Sequence, residues 1–496
     1  MNNPLSPRLA ATRSRRRSLG RGALGRSSPA IAVACIGLIL ALCAGCVDEK
    51  KEIARYQKEL DALPGTADPA PDDSPLTLQQ AMRLAEKNDE SLATSGESYL
   101  QALYAKDRAF SAFLPQISLG PNVSVSNIAT PVHSKTVTVG ADIKTSVFSV
   151  VNQAELAKSA ANVELSRQNL FNEQQIILED VASAYYTVLQ FERSVLVDQN
   201  SLTEQDERVR QAEAQFRLGN GTPLAVAQSR SLASQTRVQL ISDRAGVTTS
   251  RDLLSFLIGF PVGERPLVDD FQPPRETVKS VEDWLADAMA HRQDLIASAS
   301  AVEAARQGVR SAFGEYVPTV SLDIAHLIYN ERPPLTQIWT GALSVNIPVF
   351  TGGQIEADVH TALSQLRSAV LSQNQTRKTV EQNVRDAYAN YISSRDQIAE
   401  LRIELKASRD ALVFAQREFA VGLATNLDVL TATDTLLSTQ LQLARQVYQK
   451  KIDYMNLLRN AGHLTFDDAA PTTRPSTEPS DLETTTPEVV GPSTLP

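Results

Sequence analysis

The cysteines, the most reactive side chains in this chain, cluster at its start. All three of them, Cys35, Cys43 and Cys46, lie within the first 46 residues. The segment Cys43-Ala44-Gly45-Cys46 has the form of a bacterial lipobox, in which small residues precede a cysteine that becomes the lipidated N-terminus. We therefore predict lipidation at Cys46. The mature chain would then contain no disulfide, no thiol nucleophile and no cysteine-based metal site.

No pattern typical of an enzyme follows in the sequence. There is no glycine-rich phosphate loop ending in Gly-Lys-Ser/Thr and no His-Glu-x-x-His motif. The five histidines are scattered, without the spacing typical of metal ligands. They are His133, His291, His326, His360 and His463. We therefore expect no catalytic residues, no cofactor and no metal site, and we interpret the many helical carboxylates as surface charge.

The first 45 residues are predicted to be a signal peptide of the lipoprotein type. An arginine-rich segment precedes an apolar run of 14 residues, from Ala30 to Cys43, which is too short to span a membrane as a helix. Removal of residues 1–45 takes away seven arginines and no acids, which leaves 41 basic and 57 acidic residues and a net charge of −16. Such an acidic chain has no basic footprint for nucleic acid.

An internal two-fold repeat extends over most of the remaining chain. Similar segments recur at a constant offset of 203 residues, with one gap of a single residue. The matching pairs include Pro115 to Leu119 with Pro318 to Leu322, Val181 to Tyr185 with Val384 to Tyr388, and Phe216 to Gly219 with Phe419 to Gly422. A constant offset over such a distance indicates two copies of one structural unit, joined near Phe260 to Pro274.

Each copy contains two segments in which apolar and polar residues alternate. The segments begin near Ile117, Val137, Val320 and Trp339, and their polar positions carry mostly Ser, Thr, Asn and Asp. This pattern predicts four strands in two hairpins, and it is typical of transmembrane strands with lipid on one side and water on the other. A sheet that covers a soluble core is the alternative. Four strands cannot close a barrel and an open edge cannot lie in lipid, so membrane insertion would require several chains to pool their strands, and a trimer would supply about twelve.

Long helices are predicted around these strands. Helical pattern runs from Leu78 to about Phe113, and no proline interrupts residues 153–218. In the latter stretch, Ile177, Val181, Ala184, Val188, Phe191 and Val195 have coiled-coil spacing. Turns at Gly219 to Pro223 and at Val421 to Thr425 reverse the chain in the two copies.

With these features, the sequence resembles the TolC-like outer membrane efflux proteins, especially the lipoprotein branch that serves tripartite drug and metal pumps. The resemblance covers about Leu76 to Leu464. It depends on Leu76 to Ala81, Leu114-Pro115, Val421-Gly422-Leu423 and Leu427-Asp428-Val429-Leu430. It implies an α+β membrane protein, a homotrimer whose 12-stranded β-barrel, with four strands per chain, is continued by a long periplasmic α-helical barrel. It also implies an inner-membrane pump and a periplasmic adaptor as partners, and an outer membrane whose lipid surrounds the barrel.

The resemblance also implies roles for residues at the two helix turns. The turns would contact the adaptor through Leu218, Gly219, Asn220, Val421, Gly422 and Leu423. Asp428 matches an acid that narrows the periplasmic mouth of the tunnel in this family, and three copies of it would form a negative ring. An acid that begins a helix is the simpler interpretation of Asp428. The family's best-known gate network is in doubt here, because its Tyr and Arg are Phe419 and Ala424.

The predicted organisation has six parts. They are a signal peptide at 1–45, a lipid-anchored tether at 46–75, repeat 1 at 76–258, a linker at 259–275, repeat 2 at 276–464 and a disordered tail at 465–496. The predicted function is a passive outer-membrane exit duct for drugs, metal ions or other small molecules. Two alternatives remain: the duct of a type I protein secretion system, and a periplasmic coiled-coil lipoprotein without a pore.

Overall fold

The computed structural model describes residues 49–60, 75–127, 133–271, 279–330 and 339–464. The predicted signal peptide, Cys46, most of the tether and the predicted tail lie outside these residues. Nine helices and four strands occur within them. In chain order they are α1 Glu49–Leu60, α2 Leu78–Asn88, α3 Glu90–Ser111, β1 Gln116–Asn127, β2 His133–Phe148, α4 Val150–Arg217, α5 Pro223–Ile258, α6 Val281–His291, α7 Gln293–Gly314, β3 Thr319–Asn330, β4 Trp339–Asn346, α8 Gln354–Ala420 and α9 Asn426–Asn460.

The four strands form one antiparallel sheet in the order β1-β2-β3-β4. The register aligns Ile117 with Ile143 and Ile143 with Ile324, so three apolar residues from three strands stand in one row. On β4, every residue is exposed, including Trp339 and Leu343. Strands β1 and β4 are the two edges of this sheet, and among the described residues neither has a partner on its outer side.

The two long helical hairpins are α4 with α5 and α8 with α9. Helix α4 has 68 residues and α8 has 67, so each is roughly 100 Å long at a rise of about 1.5 Å per residue. The predicted seam of α4 is buried at Ile177, Val181, Ala184 and Val188. Beyond Val195 most of the buried positions of α4 are polar, with Asp198 as an example.

The helical pattern predicted from Leu78 to about Phe113 is divided into two helices at Asp89. Its carboxylate accepts hydrogen bonds from the backbone N–H groups of Ser91 (2.8 Å) and Leu92 (2.9 Å). Such a cap satisfies two amides that would otherwise have no partner at the start of α3. The corresponding junction in the second half, at Arg292, has no side-chain cap.

The segment that joins the two halves is packed into the core. Val262 and Phe271 are buried, and Leu267 forms a parallel bridge with Leu76. The Tyr185 hydroxyl accepts from the N–H of Val268 (2.9 Å) and lies 2.7 Å from the carbonyl oxygen of Leu76. The linker therefore packs against the first half of the chain and also connects it to the second half.

Helix α1 reaches the same core through one aromatic side chain. Tyr56 is buried and lies over Gly96 of α3, where a Cβ atom would come within 2.6 Å of the tyrosine ring. The close approach of a ring to a helix backbone explains the glycine at this position. No helix in the described part of the chain has both the length and the apolar character needed to cross a membrane.

Candidate functional site

The turn between α4 and α5 ends the first hairpin with a Schellman motif. Gly219 has φ +79°, its N–H donates to Phe216 (3.1 Å), and the N–H of Asn220 donates to Gln215 (2.9 Å). A positive φ favours glycine, because a Cβ atom would be strained there. Thr222 then caps α5 by accepting from the N–H of Ala225 at 3.1 Å.

The turn between α8 and α9 has the same construction. Gly422 has φ +78°, its N–H donates to Phe419 (3.1 Å), and the N–H of Leu423 donates to Glu418 (2.9 Å). Thr425 caps α9. The six predicted contact residues therefore occupy equivalent positions in two identical backbone motifs, each at the end of a hairpin.

The two turns lie beside each other. The side-chain amide of Asn426, in the first turn of α9, is 3.4 Å from the carbonyl oxygen of Ala225, in the first turn of α5. Large apolar side chains are exposed at both ends, with exposed fractions of 78% for Leu218 and 82% for Leu423. We call the surface formed by residues 218–224 and 421–427 the tip surface. Such an exposed apolar patch is typical of a surface that another protein covers.

Asp428 lies next to the tip surface and forms part of the cap of α9. Its carboxylate accepts from the N–H of Thr425 (2.7 Å) and from the Thr425 hydroxyl (2.6 Å), which completes a capping box. These two hydrogen bonds hold the pKa of Asp428 below its usual value. The structure therefore gives Asp428 a local role in the helix start, and the carboxylate remains exposed and ionised.

A buried pair of carboxylates lies farther along the first hairpin. No pattern in the sequence indicated a site at these residues. Asp198 of α4 is fully buried, and neither of its carboxylate oxygens has a hydrogen-bond donor among the described residues. Asp243 of α5 is also buried, and Arg445 of α9 approaches it at 3.6 Å. Burial is the main cause, and the Asp243 charge the second, of a pKa of about 7 for Asp198.

We expect Asp198→Asn to raise the stability of the folded protein at pH 8 by about 1 kcal/mol, because an amide can donate a hydrogen bond where a buried carboxylate cannot. The folded pKa of about 7 lies above the usual unfolded value of 3.8. The folded state therefore retains the proton between these values, and the contribution of Asp198 to stability falls as pH rises from about 4 to about 7.

Thermal unfolding at pH 5 and pH 8 measures this effect. The gain from Asp198→Asn should be larger at pH 8. The matched control is Asp206→Asn on the same helix, because Asp206 is partly exposed and pairs with Arg237 at 3.0 Å. An equal gain at both pH values would contradict the prediction.

Comparisons with known proteins agree with this architecture. The family model for outer membrane efflux proteins matches residues 76–260 and 284–463. The chain is 28% identical to the outer membrane efflux protein BepC of Brucella suis, over 79% of this chain and 86% of BepC. It is 23% identical to the alkaline protease secretion protein AprF of Pseudomonas aeruginosa, over 62% of this chain and 66% of AprF.

A solved structure has a similar fold. The crystal structure of the outer membrane protein VceC from Vibrio cholerae aligns with a TM-score of 0.68 and 20% sequence identity, over 78% of this chain and 96% of VceC. At this identity the likeness concerns the fold. The chain therefore shares its fold with an outer membrane protein.

Proposed function

Since the chain belongs to the outer membrane efflux protein family, we propose that it is the outer-membrane channel component of a tripartite efflux system. In this role it is a passive trimeric exit duct for drugs, metal ions or other small molecules. The observation that carries the proposal is a four-stranded sheet with open edges that leads directly into two helical hairpins. Neither catalysis nor a cofactor is part of the proposed role.

The open edges of the sheet support the trimer. Unpaired N–H and C=O groups at β1 and β4 would cost several kcal/mol each in lipid, so β4 of one chain must pair with β1 of the next. Three chains then supply twelve strands, enough to surround a pore. The exposed apolar residues of the sheet, such as Ile117 and Leu343, would face lipid. The predicted 203-residue repeat fits this arrangement, because three chains with two copies each would place six similar units around the axis.

The function is tested by conductance. Purified full-length protein added to a planar lipid bilayer should produce discrete channel currents, and its mass in detergent should be that of three chains. A monomeric protein that produces no current would reject the duct. It would favour the alternative without a pore, a periplasmic coiled-coil lipoprotein.

The domain organisation and the partners are part of the same proposal. Residues 76–258 and 276–464 are the two repeats, and 259–275 link them. The tip surface would dock onto a periplasmic adaptor, which connects the duct to an inner-membrane pump. The exposed apolar side chains at both tips support such a contact. A type I protein secretion duct is a second candidate, favoured by the similarity to AprF. Adaptor and pump genes next to this one would discriminate between the two systems.

We propose that Asp428 also contributes to a gate at the periplasmic mouth of the trimer. Three exposed carboxylates around one axis would attract cations and repel anions. Since Asp428 also caps α9, the test needs a substitution that preserves an acceptor oxygen. We expect Asp428→Asn to weaken block by polyvalent cations severalfold and to increase leak of large antibiotics.

Asp428→Glu is the matched control for this gate, because it retains both the charge and the capping box. Single-channel recordings with a polyvalent cation on the periplasmic side measure the block. Equal block in the wild type and in Asp428→Asn would leave Asp428 with its capping role alone.

We further propose that Cys46 anchors the mature N-terminus to outer-membrane lipid. The sequence around Cys46 supports this modification, and the cysteine lies 30 residues before the start of the matched region at residue 76. We expect intact-mass spectrometry of the mature wild type to give the mass of a chain from Cys46 plus three acyl chains and a glycerol unit. Cys46→Ser should lack this addition. An unmodified wild-type chain would contradict the anchor.

A further inference from the structure

A histidine and a carboxylate on α6 lie close to a second histidine that is distant in sequence, at the end of α9. Asp287 and His291 are one turn apart on α6, and His463 follows α9. The rings of His291 and His463 have centroids 4.6 Å apart, and His463 Nε2 lies 3.8 Å from Asp287 Oδ2. One ligand atom from each of the three residues lies within 4.8 Å of the others.

The backbone around these residues is fixed by the end of α9. Gly462 has φ +75°, and its neighbour His463 donates its N–H to Leu458 at 3.0 Å. A Cβ atom on Gly462 would come within 3.0 Å of the backbone at Arg292 and His291. A glycine is therefore required for the end of α9 to lie against the junction of α6 and α7, and this contact places His463 beside His291.

Arg292 holds the same two segments together. Its guanidinium is almost completely buried and donates to the Asn460 side chain (3.0 Å) and to Asp294 (3.0 Å). The two histidine backbones are therefore positioned before any ligand binds. Such preorganisation reduces the ordering that ligand binding would otherwise require.

The orientation of the His291 ring suits metal binding. Its Nδ1 lies 3.0 Å from the carbonyl oxygen of Asp287. A carbonyl oxygen only accepts hydrogen bonds, so this contact uses Nδ1 as the donor and leaves Nε2 as the ring nitrogen that could bind a metal. Proteins usually orient a histidine ligand through a hydrogen bond of this kind, from the ring nitrogen that does not bind the metal.

We propose that Asp287, His291 and His463 bind a divalent transition-metal ion of the Zn²⁺ class. Two imidazoles and a carboxylate suit Zn²⁺, Cu²⁺ or Ni²⁺, whereas Mg²⁺ and Ca²⁺ prefer oxygen ligands alone. Bonds of about 2.0–2.1 Å require ligand atoms about 3.3 Å apart in a tetrahedral site. The three side chains are partly or fully exposed, so they can rotate inward while their backbones remain in place. The bound ion would connect α6 to the end of α9.

Lys279 competes for this site. Its ammonium group donates to Asp287 Oδ2 at 2.8 Å and lies 5.2 Å from the centre of the Trp284 ring. A metal ion must displace this ammonium from the carboxylate. Removal of the lysine charge should therefore strengthen metal binding. An ion pair with only a structural role would predict no such increase in affinity.

The experiment is a Zn²⁺ titration of the full-length protein in detergent, without a polyhistidine tag and after removal of metal by a chelator. We expect one Zn²⁺ per chain. Affinity should fall at least about tenfold in His291→Gln and in His463→Gln, and rise in Lys279→Met. The matched control is His360→Gln, because His360 is an exposed histidine one turn from Glu356.

Two results would overturn the proposal. One is the absence of Zn²⁺ binding to the wild type, and the other is an affinity that His463→Gln does not change. Far-UV circular dichroism of each variant without metal checks the fold. The visible spectrum with Co²⁺ in place of Zn²⁺ reports nitrogen and oxygen ligands directly. Both readouts are independent of conductance, so they remain informative if the proposed duct is rejected.

Discussion

Lys451→Met is expected to lower the free energy of unfolding by about 2 kcal/mol, because it removes a buried ammonium group that donates to a carboxylate and to a buried carbonyl oxygen. Lys451 has an exposed fraction of 2%. Its ammonium group pairs with Asp269 and donates to the carbonyl oxygen of Phe271 at 2.7 Å. The Asp269 carboxylate is itself exposed, so water can solvate it after the lysine is removed, which limits the loss.

The position of Lys451 in the fold explains why the effect should be large. The lysine belongs to α9, whereas Asp269 and Phe271 belong to the linker between the two halves. The rings of Tyr186 and Tyr448 lie 5.6 and 5.8 Å from the ammonium group and stabilise the cation in a position that water cannot reach. Loss of the charge therefore releases the linker from the last helix and leaves Asp269 without its donor.

Denaturant unfolding of the purified protein measures this loss. The control is Lys406→Met, the same substitution at an exposed lysine of α8, which should change stability by less than about 0.5 kcal/mol. The double variant Lys451→Met with Asp269→Leu should lose little more than Lys451→Met alone, because Asp269 has already lost its ammonium partner in the single variant. Equal stability of Lys451→Met and the wild type would show that the ion pair has no net effect.

Leu423→Glu is expected to abolish efflux while the trimer remains intact. With an exposed fraction of 82%, Leu423 contributes little to folding, so the substitution should change stability by less than about 0.5 kcal/mol. If an adaptor covers the tip surface, the new carboxylate is buried without a partner. Burial of an unpaired charge costs several kcal/mol, which is enough to prevent docking.

Drug susceptibility of cells that carry the variant as their only copy measures efflux, and cross-linking to the adaptor measures docking. Susceptibility should equal that of cells without the gene. Leu423→Met is the matched control, because it retains an apolar side chain at the same site. Normal efflux and normal cross-linking in Leu423→Glu would show that the second tip does not contribute to the adaptor interface.

Local patterns in the sequence determined much of the fold. Alternation of apolar and polar residues predicted the four strands, and Gly219 and Gly422 predicted both turns, because a strand or a tight turn depends on neighbours in the chain. The break at Asp89 was missed. An aspartate that caps a helix in the middle of a helical pattern has no periodic signal, and only the observed hydrogen bonds to Ser91 and Leu92 identify it.

Tertiary structure alone decided where the charges and histidines meet. Asp198 and Asp243 lie on different helices, Lys451 reaches the linker from the last helix, and His463 meets His291 only because Gly462 packs against Arg292. Spacing along the chain separated the histidines and indicated no metal site. The sequence by itself determined the strands and the turns, since these depend on short-range patterns. Pairing between distant residues depends on how the helices pack, and that packing is set by the whole core rather than by any local pattern.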